Sequence, residues 1–187
     1  MFKENCIITP KELMDDLIKI SSINDVRILI LYLDLYIEYF INAIYKKKAK
    51  DKIQKCNTCG RYIETKFKDK VDKLTDVGFI KKEHKHYEII KIIYELRCKL
   101  IHDLRPDTEL LERKIQEHKP DIQETIPLMN KYWENVNPWI KIQLMAFPSV
   151  TRLYQEYEKV CGRHPEYTIR FLINPEATIV QMELIKI

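Results

Sequence analysis

The stretch NDVRILILYLDLYIEYFINAIYKKKAK, residues 24–50, constrains this chain more than any other. It contains neither glycine nor proline. Val26, Leu29, Ile30, Leu33, Ile37, Phe40, Ile41 and Ile44 recur through it at helical spacing. Asn24 or Asp25 can cap its start. The lysines between Lys46 and Lys50 suit the negative pole of a helix dipole at its end. A helix this long with a wide apolar face needs other helices to cover it.

The rest of the chain supplies them. In TPKELMDDLIKI, Thr9 is a good N-cap, Pro10 suits the first helical position and Glu12 completes a capping box; Leu13, Leu17 and Ile20 fall on one face. FKDKVDKLTDVGFI reads as a short helix ending near Gly78. From Glu83 to Leu104, Ile89, Ile90, Ile93, Leu96, Leu100 and Ile101 form a broad apolar stripe, and Pro106 stops the helix. Asp107 can cap TELLERKIQEHK. Pro120 opens DIQETIPLMNKYWENV, with a break or kink at Pro127. NPWIKIQLMAF and PSVTRLYQEYEKVCG follow as separate segments, the second stopped by Gly162. YTIRFLI and TIVQMELIKI are β-rich, and NPEA between them marks a hairpin. A lone hairpin is marginal in water, so it packs on the helices or pairs with another chain. The expectation is a mainly α fold: an antiparallel helical bundle over 1–136, then a helical extension and β-hairpin over 137–187.

Composition narrows the class. At 187 residues and 45% hydrophobic the chain can fill a core of its own, and only 3 glycines and 8 prolines argue against long disordered linkers. The net charge of +4 tolerates nucleic acid as a partner without demanding it. No uninterrupted apolar run approaches the roughly 18 residues of a membrane span, and the N-terminus lacks a signal-peptide core. A cytoplasmic protein is expected. Five unevenly spaced cysteines are not a disulfide framework, so they read as thiols or metal thiolates.

The chemistry-bearing residues are in IYELRCKLIHDLRPD. Arg97 and His102 are five residues apart, so on a regular helix they point about 140° apart. Fraying of the last turn can bring them together, or a second subunit can complete the site. A guanidinium can grip a phosphate through two parallel hydrogen bonds. An imidazole can move a proton near neutral pH. RNA carries its own nucleophile in the 2′-hydroxyl, so the pair suffices for cleavage without a metal. The plainer reading is that His102 is a helix-end cation and Arg97 pairs with Glu38 or Asp34.

The stretch YEIIKIIYELRCKLIHD resembles the motif helix of the HEPN superfamily, in which an arginine precedes a histidine by four to six intervening residues. VRILILYLDLYIEYFINAI is similar to the family's opening helix, including its acid at Glu38. The resemblance covers roughly residues 20–135. It implies a helical bundle that forms a homodimer, with Arg97 on the scissile phosphate, His102 as acid/base and Glu38 beside them. It implies a metal-independent endoribonuclease that leaves a 2′,3′-cyclic phosphate, in a toxin–antitoxin or defence setting, with RNA as substrate and an antitoxin among the partners. Other members of the family are non-catalytic dimerisation or interaction modules. The position after the arginine, often Asn, Asp or His in the family, is Cys98 here.

CNTCGR places Cys56 and Cys59 in a CxxC knuckle, and CGRH places Cys161 and His164 in a CxxH. Together they would make a Cys₃His structural zinc site with no open position for catalysis. The alternatives are loop thiols, a buried helix-end cysteine, or a redox CxxC. Trp133 and Trp139 read as core or interface more than as a base-stacking platform. His84, His86 and the Lys46–Lys50 cluster read as solvated charge more than as phosphate contacts.

Overall fold

The computed structural model describes residues 8–48, 66–76, 78, 85–102, 108–117, 137–173 and 180–187. Among them are six helices and one hairpin: α1 (Pro10–Ser21), α2 (Val26–Lys48), α3 (Phe67–Asp76), α4 (Lys85–His102), α5 (Thr108–Glu117), α6 (Pro138–Val160), β1 (Tyr167–Ile173) and β2 (Val180–Lys186). The protein is therefore mainly helical with a small two-stranded antiparallel sheet. The segments expected at Pro106, at Pro127 and across CNTCGR lie outside the described residues.

Local chemistry starts α1 where the sequence places it. The Thr9 hydroxyl accepts from the Glu12 amide at 3.2 Å, and the Glu12 carboxylate accepts from the Thr9 amide at 2.7 Å. Two amides that the first turn would leave without partners are satisfied this way. At the start of α2 the cap is Asp25, whose carboxylate accepts from the amides of Arg27 at 2.8 Å and Ile28 at 3.4 Å. Those bonds, with the Arg27 guanidinium foremost, pull the Asp25 carboxyl down to about 2. Gly78, just past α3, adopts φ +71°, a conformation that side chains with a Cβ resist.

The core runs through the whole set of elements. Leu13 and Leu17 of α1, Leu33, Ile37, Phe40 and Ile41 of α2, Ile93 of α4 and Phe147 and Val150 of α6 are all buried in one cluster. α2 packs on α6 and α4 and reaches α3, while α4 also packs on α6. Aromatic rings fill the α2–α6 contact: Phe40 meets Tyr154 edge-on at 5.7 Å and Tyr157 at 5.5 Å. Gln143, buried on α6, donates to the Ser21 carbonyl at the end of α1 at 3.1 Å.

Residues 138–160 form one helix, where the sequence suggested two segments divided at Pro148. Proline removes one amide and crowds the carbonyl four residues earlier, which costs about 3 kcal/mol in an open helix. Here Leu144, Met145 and Phe147 before it and Val150, Leu153 and Tyr154 after it are buried in the same core. Burying that continuous face at roughly 1.5–3 kcal/mol per large side chain outweighs the missing bond.

The hairpin pairs Tyr167 with Lys186 through to Ile173 with Val180. Ile169 and Val180 are buried, and Phe171 lies against Phe147 of α6 at 5.9 Å. β2 packs on α1 as well, so the hairpin is held by helices on its inner face. Gly162, at φ +78°, turns the chain from α6 towards it.

Candidate functional site

The packing of α2 on α4 brings together Asp34 and Glu38, one turn apart on α2, and Tyr94, Arg97 and Cys98 on α4. Asp34 is 2% exposed. Its Oδ2 lies 3.1 Å from the Arg97 Nε, and the Arg97 side chain is 32% exposed. Asp34 Oδ1 is buried with no hydrogen-bond partner among the described residues.

The charges are unequal. Burial pushes the Asp34 carboxyl up to about 6; Arg97 opposes this and Glu38 adds to it. Burial also works against the Arg97 charge, but the Asp34 carboxylate outweighs it, helped by Cys98 and Glu38, so the guanidinium is held above its ordinary value. Near pH 7 the Asp34 carboxyl is therefore largely ionised beside the charged Arg97.

Tyr94 closes one side. Its phenol is raised first by a hydrogen bond with Cys98 and then by burial. Its ring stacks on Phe67 of α3 at 4.6 Å with planes 20° apart. Cys98, half-buried, thus works as a bonding partner inside the cluster.

The helix carrying Arg97 continues as regular α-helix through position 102. Five positions of regular helix separate the two residues, a turn of about 500°. The His102 side chain lies outside what is described, and so do Trp133 and His84. Glu38 is half-buried at the edge of the cluster.

Of the proposed zinc ligands, Cys161 is half-buried where α6 ends and His164 is exposed three residues later. Cys56 and Cys59 lie outside the described residues. Among the described residues no group of three or more His, Cys, Asp or Glu side chains could hold a metal. Trp139 is half-buried against the core, and its Nε1 has no partner among the described residues. His86 sits 2.9 Å from the Ser149 hydroxyl, which ties the first turn of α4 to the middle of α6.

In the sequence Asp34 is one of two acids open to Arg97, Cys98 is a departure from a pattern, and nothing marks Tyr94. The available signal was spacing: Asp34 and Glu38 fall on the flank of the apolar stripe of α2, where an acid needs a partner from the neighbouring helix.

No family model, no curated protein and no solved structure matches this chain.

Proposed function

We propose that this chain is a non-catalytic helical interaction module in which Arg97 is the counter-ion of a buried carboxylate. The observation that carries this is the Arg97–Asp34 ion pair. A buried carboxylate must be compensated, and Arg97 is the cation placed to do it. With Glu38 alongside, the acids outnumber the guanidinium, and such a cluster repels a phosphate more than it grips one. No catalytic metal or cofactor is invoked.

One observation favours a second reading, the HEPN-type metal-independent endoribonuclease. Arg97 remains about a third exposed, on the helix that also carries His102. An arginine held through Nε keeps the rest of its fork for a second acceptor. In that reading Arg97 clamps the phosphate, His102 moves the proton, Glu38 helps to orient the pair, and a homodimer completes the site.

Incubating the purified chain with mixed RNAs in excess EDTA, beside Arg97→Ala and His102→Ala, tests the choice. The module reading expects no cleavage above buffer by any of the three. Cleavage by the wild type that both folded variants lose would overturn it and install the ribonuclease.

A further inference from the structure

We infer that the solvent face of α2 docks on the same face of a second copy of this chain, antiparallel, about a two-fold axis at Leu35. The inference rests on the module reading and names its partner. It starts from an oddity of α2: the helix is apolar on both sides. Its core face packs on α4 and α6 and also meets α3. On the outward side Ile28, Leu31, Tyr32 and Leu35 remain exposed, Leu35 the most open at 60%, and Tyr39 at the border is 40% exposed with its ring 6.0 Å from Tyr157 of α6. A helix that is apolar all round belongs in an interior or against a partner.

The size of the face suits an association surface. Its five side chains expose on the order of 500 Å², near the upper end for patches on a monomer and enough for the apolar centre of an interface burying about 800 Å² per partner. A membrane fits less well. α2 is long and apolar enough to cross one, but half of that apolar stretch is buried inside this protein. Spanning would require stripping α2 from α4 and α6 and exposing Phe40, Ile41 and Ile44.

The pattern selects a second copy and its direction. The most exposed residue lies midway between Leu31 and Tyr39, which share the face, so a two-fold axis there makes the surface complementary to itself. Leu35 meets Leu35 of the second copy, and Leu31 comes level with Tyr39 of the second copy. Lys46, Lys47 and Lys48 are exposed at the C-terminal end. A parallel pair would gather both lysine runs at one end, whereas an antiparallel pair separates them by about the helix length of 35 Å and opposes the two dipoles.

The test is sedimentation equilibrium of the full chain from about 1 to 100 µM, a range that brackets a micromolar dimer. The wild type should sediment as a dimer at the upper end. Leu35→Glu should be monomeric at every concentration, with an unchanged far-ultraviolet spectrum, because that side chain contributes little to the core. Mild oxidation gives the direction: Leu35→Cys should form a covalent dimer faster than the wild type, whose own five cysteines set the background. Ile28→Cys should not, since two copies of position 28 lie about 20 Å apart in the antiparallel pair. A wild type that stays monomeric, a dimer that survives Leu35→Glu, or equal cross-linking at positions 28 and 35 would each overturn the proposal. A monomer that instead floats with phosphatidylcholine vesicles would assign the face to a membrane. None of these outcomes depends on RNA cleavage, so this proposal and the module reading fail separately.

Discussion

A carboxylate with almost no access to water keeps its charge only if something replaces the water. At Asp34 the replacement is partial: one oxygen meets Arg97 and the other meets no described donor. Its carboxyl consequently stands at about 6 against an ordinary 3.8. The folded protein then holds this proton more tightly than the unfolded chain does. Stability from Asp34 is fully present below about pH 4, is lost as pH rises towards about 6, and stays lost above that. The loss is on the order of 2–3 kcal/mol. Urea unfolding of wild type and Asp34→Asn between pH 4 and pH 7 should show the difference between the two proteins changing by that order, with the wild type losing ground as pH rises. A constant difference would mean that the carboxyl is not perturbed. A second buried acid, Glu158, is served directly by Tyr154, whose phenol lies 2.9 Å from its Oε1 and also 3.1 Å from the Ile8 carbonyl. Tyr154→Phe should cost about 1–3 kcal/mol in thermal unfolding, since it strands a buried acceptor.

At the scale of elements, helices were the easiest to read from sequence and their interruptions the hardest. α1 and α2 were legible because cap, first-turn residues and apolar period agree. The hairpin was legible because β-branched runs flank the sequence NPEA. The division at Pro148 was not, because a local rule about proline lost to burial on both sides of it. Pro148→Ala should therefore raise the midpoint of unfolding, through a gain of about 1 kcal/mol or more in unfolding free energy, by restoring an amide to the helix. A lower midpoint would show that the ring itself is needed in the core. Thr9→Ala should cost about 1 kcal/mol by leaving the start of α1 uncapped.

For the whole molecule, periodicity revealed which residues repeat but not which of two apolar faces of α2 is covered. Sequence reading treated the helix as core, and the face bearing Leu35 emerged only once α4 and α6 were seen to occupy the other side. The site was half legible for a related reason. Arg97 stood out by its chemistry, yet its partner depended on how α2 and α4 are set against each other, which spacing along one helix does not specify. The central claim is that Arg97 serves the fold by neutralising Asp34. It is tested most directly by a double-mutant cycle in urea at pH 7: wild type, Arg97→Ala, Asp34→Leu and the pair together. Arg97→Ala alone should cost about 2 kcal/mol or more, because it abandons a buried carboxylate, and well under 1 kcal/mol when Asp34 is already leucine. Equal costs in both backgrounds, or none in either, would contradict the account.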